Sequence, residues 1–296
     1  MNTKKNLVSI IVNCFNGEKF LYEALNSIIK QTYKNWEVIF CDNQSNDSSK
    51  KIFQSFNNKK FKYFKTNKFL TLYAARNFAI SKSRGEFLSF LDTDDVWHKK
   101  KLEIQIKFFK NTNVGVVYGN LFVQRGKKKF IYYKKKLKEG YIYDELVKNY
   151  NIGILTAVIR KNILFKEKNF FNEKYNIIGD FDLLLKLSKK YMYRATQLPV
   201  ATYRLHKNNL TLVKRNMQVK ELKNWYKQNS KNFSSSEKQI FLKKIINLEF
   251  LYFKFNKNIF DVYKYFFFNL ECLLNLKNIF ILVFPNFLLK KIMLFV

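Results

Sequence analysis

The sequence is short of the residues that make turns, bridges and metal cages: 8 glycines, 2 prolines, 3 cysteines and 2 histidines in 296 residues. It holds no Gly-x-Gly-x-x-Gly turn and no Gly-x-x-x-x-Gly-Lys loop, so no glycine-rich cradle can hold phosphate at the first helix. Cys14, Cys41 and Cys272 have no paired spacing, which argues against a disulfide framework and against a zinc site. Long apolar runs are missing too. The run 7–12 is too short for the core of a signal peptide. No uncharged stretch reaches spanning length: the leading candidate, 278–289, contains Pro285 and stops at Lys290, short of a membrane span. The chain is therefore expected in the reducing cytoplasm.

Acidic residues are scarce as well. Against 55 Lys and Arg stand 22 Asp and Glu, a net charge of +33. The excess is spread out: 20 basic against 10 acidic residues in 1–110, 22 against 7 in 111–215, and 13 against 5 in 216–296. Such a field draws polyanions: nucleic acid, an anionic membrane, or phosphorylated small molecules. Lys, Asn, Ile and Phe are abundant together, as an AT-biased coding sequence would make them, and part of the charge then carries no function.

Hydrophobic residues at 47% are enough for a buried core. Residues 7–118 alternate between short β-branched runs and segments with helical spacing. Strands are expected at 7–14, 36–41, 61–65, 86–91 and 114–118. Helices are expected from Gly17 onward, over 48–56 behind a capping Asp47, and over 72–83. This alternation implies a mostly parallel sheet with helices on both faces. The middle, 119–215, is less regular, with a basic hairpin-like stretch at 125–138 and a helix at 182–191. From 216 the chain is helical, basic and aromatic. Two domains are expected, 1–215 and 216–296.

Three polar clusters fall at strand ends, at 13–16, 42–47 and 92–95. In an open α/β sheet that edge is where ligands sit. Asp92, Asp94 and Asp95 repel one another unless something cationic stands between them. Mg²⁺ or Mn²⁺, which takes oxygen ligands and shares them with substrate phosphate, meets that need.

The segments Ser9-Ile10-Ile11-Val12-Asn13-Cys14-Phe15-Asn16, Cys41-Asp42-Asn43-Gln44-Ser45-Asn46-Asp47, Ala75-Arg76-Asn77, Gly85-Glu86-Phe87 and Leu91-Asp92-Thr93-Asp94-Asp95, with Trp97 and Lys101-Leu102-Glu103 after them, resemble family 2 glycosyltransferases with the GT-A fold. The likeness covers about residues 7–206. It implies a Rossmann-like sheet, an inverting reaction and a nucleotide-diphospho-sugar donor, UDP- or dTDP-linked. By position, it implies that Asn13 and Phe15 border the base, that Asp42 and Asn43 contact base and ribose, and that Arg76 faces the diphosphate. Asp92-Thr93-Asp94 matches the Asp-x-Asp motif, with Asp92 near ribose and Asp94 on a divalent metal, Mg²⁺ or Mn²⁺. Ile178-Gly179-Asp180-Phe181-Asp182-Leu183 resembles the segment that carries the general base, here Asp180, with Asp182 as the fallback; Gly179 stands where Glu is usual. Tyr203-Arg204-Leu205-His206 resembles the segment closing the catalytic region, which implies His206 as a further metal ligand or diphosphate contact and Arg204 as a pyrophosphate contact.

Plainer roles compete with these. Asp42 and Asp47 suit turns and caps, Asp180 suits a helix N-cap, and a lone histidine is often structural. Cys14 and Cys41 read as small core residues. The aromatic-basic tail either packs as a helical core or lies on an anionic bilayer; for 262–296 the second is expected, which makes a lipid-linked glycan the expected acceptor. The reading as a whole is a metal-dependent hexosyltransferase, peripheral on the cytoplasmic face of the membrane, building cell-envelope polysaccharide and not binding nucleic acid. Its rivals are a non-enzymatic basic module on nucleic acid or anionic membrane, and a metal-dependent nucleotidyl or phosphoryl transferase.

Overall fold

The computed structural model describes residues 5–166 and 170–286. Of the tail expected to reach 296, residues 287–296 lie outside the described residues, as do 1–4 at the start. The first compact unit closes at His206 and the second begins at Lys207, nine residues ahead of the boundary expected at 216.

The described residues of the first unit form one sheet of nine strands. In chain order these are β1 (Val8–Cys14), β2 (Trp36–Asp42), β3 (Phe61–Lys65), β4 (Phe87–Phe90), β5 (Val96–Trp97), β6 (Val114–Arg125), β7 (Lys128–Ile131), β8 (Val158–Arg160) and β9 (Met192–Arg204). Their order across the sheet is β3-β2-β1-β4-β8-β6-β9-β5, and β7 pairs with β6. Strands β3, β2, β1 and β4 are parallel, as the strand–helix alternation implies. Beyond β4 the sheet turns mixed: β8 runs antiparallel to both β4 and β6, while β6 and β9 are parallel. The irregular middle thus supplies the second half of the sheet. The basic stretch at 125–138 begins as the β6–β7 hairpin, turning at Gly126 with φ of 57°.

Helices α1 (Glu18–Ile29), α2 (Ser49–Ser55) and α3 (Leu72–Lys82) link the parallel strands. Leu21, Ala24, Leu25 and Ile28 of α1 are fully buried against Val8, Ile10, Val12, Val38 and Phe40; this apolar stripe at helical spacing drives the docking. The short α4 (Lys101–Ile106) is pinned from inside. Lys101 is completely buried, with Nζ donating to Ser89 Oγ at 2.9 Å and Gln105 Oε1 at 2.8 Å and lying 4.2 Å from the Trp97 ring centre. After it come α5 (Tyr143–Lys148), α6 (Lys161–Lys166) and α7 (Gly179–Ser188).

Two contacts set the site's frame. Asp47, expected to cap α2, does more. One carboxylate oxygen accepts from Ser49 N at 2.9 Å and the other from Glu18 N at 2.9 Å, so it caps α1 as well. Asn16, held at a left-handed φ of 51°, takes the Asn46 N–H at 2.9 Å, and Asn16 N gives to Ser45 Oγ at 3.1 Å. On the far side, α7 packs on α3 through Gly179. A Cβ there would stand 2.5 Å from Cδ2 of Tyr73, a residue 2% exposed. Gly179 and Tyr73 are therefore a matched pair, one side chain omitted for the other.

In the second unit, helices α8 (Leu210–Val213), α9 (Arg215–Asn229), α10 (Ser235–Asn256), α11 (Ile259–Phe268), α12 (Leu270–Leu273) and α13 (Leu276–Val283) follow one another. Ser234 and Glu237 form a capping box that starts α10, and Phe250, Val262, Phe266, Leu273, Ile281 and Leu282 make its core. Tail aromatics are thus partly core. Others stay outside: Phe260, Phe267 and Phe268 are 74%, 62% and 89% exposed. Among the described residues, no helix is long and apolar enough to cross a membrane.

Gly179→Ala is expected to destabilise the fold by about 1–3 kcal/mol, because the new methyl overpacks a ring that has no room to retreat. The urea midpoint should fall at constant m-value; an unmoved midpoint would show that Tyr73 yields.

Candidate active site

The carboxyl ends of β1, β2 and β4 meet the end of β9 and the starts of α3 and α7. Asn13 and Phe15 leave β1 at this edge. Asn13 Nδ2 reaches the Leu72 carbonyl at 3.4 Å, while its Oδ1 is buried without a hydrogen-bond partner among the described residues. Phe15, half exposed, packs edge-on to Phe69, 4.8 Å between ring centres. Phe69 was not among the expected site residues. Its loop has no periodicity to reveal it, and only the exposed ring opposite Phe15 does so.

Asp42 ends β2 and is 1% exposed. Its Oδ1 accepts from Ser45 N at 2.8 Å and its Oδ2 from the Tyr63 hydroxyl. Asn43 trades both amide groups with Leu70, each bond 2.9 Å. These two residues, expected to read base and ribose, thus also shape the turn and fix the loop that carries Phe69. Cys14 and Cys41 beside them are buried; burial raises the Cys14 thiol and pushes Cys41 up to about 12, which suits packing, not nucleophilic chemistry.

Helix α3 holds the centre. Thr71 caps it, accepting from Ala74 N at 3.2 Å. Tyr73 and Arg76, three residues apart, lie on one helix face. Arg76 is 3% exposed and lies 5.2 Å from the Tyr73 ring centre and 5.8 Å from that of Phe171. Burial works against its charge, yet Asp92, Tyr73 and Asp180 together hold it above its ordinary value. Its Nη2 pairs with Asp92 Oδ1 at 2.6 Å. The Tyr73 hydroxyl lies 3.0 Å from Asp180 Oδ1 and 3.0 Å from the Ile177 carbonyl. Phe181 N also donates to Asp180 Oδ1 at 2.9 Å. Burial raises Asp180; Arg76 and the two hydrogen bonds pull it back, and Asp92 pushes it up again. Asp182, the fallback base, is 1% exposed and ion-paired to Lys186 at 2.7 Å, one turn along the same helix. Lys186 meets the charge of that carboxylate, whereas Asp180 is the one shown on Tyr73 and within reach of Arg76, so Asp180 stands as the candidate base.

After β4 the chain makes a tight turn, with Asp95 N donating to the Asp92 carbonyl at 3.1 Å. Gly17 lies against it; a Cβ there would touch Thr93 at 3.0 Å. Asp94 Oδ2 and His206 Nε2 share a hydrogen bond of 2.9 Å. Burial and Asp92 raise the Asp94 carboxyl, and His206 lowers it. Asp95 is completely enclosed, raised well above its ordinary value by burial and its two acidic neighbours, and accepts from Arg204 N at 2.9 Å. The Arg204 side chain gives Nε to the Asp94 carbonyl at 2.5 Å and pairs with Glu23. It also lies over Phe20, on which His206 stacks. Expected as a pyrophosphate contact, Arg204 in this structure braces the acidic turn.

Among the described residues, no group of three or more His, Cys, Asp and Glu side chains converges as a ready cation cage. Asp94 with His206 offers one carboxylate and one imidazole. That donor set fits a hard or borderline divalent ion whose remaining ligands come from water and substrate phosphate.

Residues 9–176, more than half of the chain, match the family described as Glycosyl transferase family 2. Over 159 residues the chain is 36% identical to the UDP-Glc:alpha-D-GlcNAc-diphosphoundecaprenol beta-1,3-glucosyltransferase WfgD of Escherichia coli, covering 53% of this chain and 62% of that protein. The chain thus spans less than two thirds of that relative's length. The fold is similar to that of S. aureus TarS 1-349 in complex with UDP-GlcNAc, with a TM-score of 0.61 at 18% identity over 93% of this chain and 81% of that one. It is also similar to the mannosyltransferase PcManGT from Pyrobaculum calidifontis in complex with GDP-Man and Mn²⁺, with a TM-score of 0.59 at 13% identity over 92% and 81% of the two chains. The chain belongs to glycosyl transferase family 2.

Proposed function

We propose that the chain is an inverting hexosyltransferase that moves a sugar from a UDP- or dTDP-linked donor to a hydroxyl of a lipid-linked glycan in cell-envelope polysaccharide synthesis. One observation carries this: Tyr73 and Arg76, one turn apart on α3, hold Asp180 at 3.0 Å and Asp92 at 2.6 Å. A candidate base and the acidic turn are thereby fixed to one rigid element. Inverting transfer needs that arrangement, because the incoming hydroxyl must lose its proton on the side of the sugar opposite the departing diphosphate. The WfgD relative, named for its use of UDP-Glc and a diphosphoundecaprenol-linked GlcNAc, and the UDP-GlcNAc complex of the TarS fold support the donor and acceptor classes.

In this reading Asn13, Asp42 and Asn43 take the base and ribose, with Phe15 and Phe69 as apolar walls. Asp92 stands near the ribose, and Arg76 neutralises it from behind. Asp94 and His206 would hold Mg²⁺ or Mn²⁺, which supplies positive charge for the leaving diphosphate. Arg204 keeps the Asp94–Asp95 turn in place for that ion. As the acceptor oxygen bonds to the anomeric carbon and the bond to diphosphate breaks, Asp180 takes the acceptor's proton.

The exposed Phe260, Phe267 and Phe268, with the net charge of +33, support a peripheral seat on an anionic bilayer at its cytoplasmic face, where a lipid-linked acceptor would be met. The rival basic module accounts for the charge but gives Asp92, Asp94 and Asp180 nothing to do; bare carboxylates repel nucleic-acid phosphate.

Asp94→Ala is expected to abolish Mn²⁺-dependent UDP binding in calorimetry, and retained binding would remove Asp94 from the site. Asp180→Asn should keep UDP affinity and lose transfer by roughly 100-fold or more. Tyr73→Phe deletes a hydrogen bond that lowers the Asp180 carboxyl, so that carboxyl should rise. A base works only when ionised, and activity is lost as pH falls through its pKa. The acid limb of kcat/KM should therefore move to higher pH, and an unmoved limb would argue against Asp180 as base.

A further inference from the structure

We infer that the Tyr150 hydroxyl is a docking point for the acceptor sugar, hydrogen-bonding it beside the hydroxyl that Asp180 deprotonates. The inference rests on the reading of Asp180 as base. Tyr150 follows α5, on the way to β8. Its ring stands edge-on to Phe181, the neighbour of Asp180, with centroids 5.2 Å apart and an interplanar angle of 83°. Its Oη is buried and has no hydrogen-bond partner among the described residues.

Two neighbouring tyrosines, in contrast, have partners. Tyr73 Oη has Ile177 and Asp180, and Tyr193 Oη gives to the Leu184 carbonyl at 2.7 Å. A buried hydroxyl with no partner costs free energy, and folded proteins keep few of them. A hydroxyl left open beside a catalytic group finds its partner when substrate arrives. Asp180 is within electrostatic reach of it, as are Tyr73, Tyr133 and Tyr193; burial first, then these neighbours, push the Tyr150 phenol well above its ordinary value. It therefore remains a neutral hydroxyl, able both to give and to accept.

Asp180 is arranged to match. Both hydrogen bonds described above fall on Oδ1, and that oxygen fixes the carboxylate's orientation. Oδ2 is left to receive a proton. An acceptor hydroxyl giving to Oδ2, with a neighbouring polar group of the same sugar meeting Tyr150 Oη, is held at two points, which sets both its position and which hydroxyl reacts. Recognition by a buried polar group discriminates strongly, because an acceptor without the matching group leaves Tyr150 unpaired.

The test uses the full chain with Mn²⁺, its UDP-sugar donor and a synthetic GlcNAc-diphospho-lipid as acceptor. Tyr150→Phe removes only the oxygen. It is expected to leave Tm unchanged or raised, since an unsatisfied group disappears, and to leave UDP affinity and donor hydrolysis by water unchanged. kcat/KM for the acceptor should fall about 10- to 100-fold, mostly through acceptor KM. A fall in Tm of several degrees would assign the hydroxyl a structural partner and overturn the inference. So would acceptor kcat/KM within twofold of the parent. Failure of the base reading looks different: Asp180→Asn would then transfer at the parental rate, overturning the pairing with Asp180 whatever Tyr150→Phe does.

Discussion

The site hangs on a single buried guanidinium. Arg76 is almost wholly enclosed, walled by Tyr73, Phe90 and Phe171, and its charge is met by Asp92 at 2.6 Å. Burying a cation among rings is costly unless a carboxylate balances it, and removing one partner of such a pair costs about 3–5 kcal/mol. That cost fixes where Asp92 sits, and with it the start of the turn bearing Asp94 and Asp95. The same helix face, through Tyr73, fixes Asp180. One amphiphilic turn of α3 therefore sets the separation between the two ends of the proposed reaction, and the flanking loops need only close around it.

Much of this was legible in the sequence. The parallel half of the sheet was written in β-branched runs followed by polar clusters, because a strand buried on both faces needs the first and its exposed carboxyl end permits the second. Expected strand bounds at 7–14, 36–41 and 61–65 fall within a residue of those observed. The Asp-x-Asp turn, Arg76 and the Asp180 segment were singled out by their resemblance to family 2 glycosyltransferases; the spacing alone showed only that acidic residues cluster at strand ends.

Pairwise geometry was not legible. Nothing in the spacing of Arg204 shows that it would spend its fork on the Asp94 carbonyl and Glu23. Nor does spacing tell that Asn43 is held by Leu70, or that Phe69 faces Phe15. These are contacts between loops, and loops carry no period from which to read register. Gly179 is the instructive case. It stands where the resembling family usually has Glu, and the packing explains it: the Tyr73 ring occupies the place a side chain would need. Likewise β6 was expected to end at 118 and runs to Arg125, because pairing with β9 extends it where local pattern gives no signal.

The Asp47 carboxylate, by gripping the first turns of both α1 and α2, makes one stiff jaw out of two loops. Gly17 N on Ser49 Oγ at 3.0 Å and Ser48 N on Glu18 Oε2 at 2.9 Å add further stitches. A jaw sewn along its length cannot hinge in the middle. Across from it, the loop bearing Phe69 is pinned at both ends, by the Asp42 carbonyl on Thr66 N at 3.0 Å and by Thr71 Oγ1 on the Glu173 carbonyl at 2.7 Å, with Asn43 on Leu70 between them, so under the proposed function any give for a bulky donor has to come from the few residues between those pins.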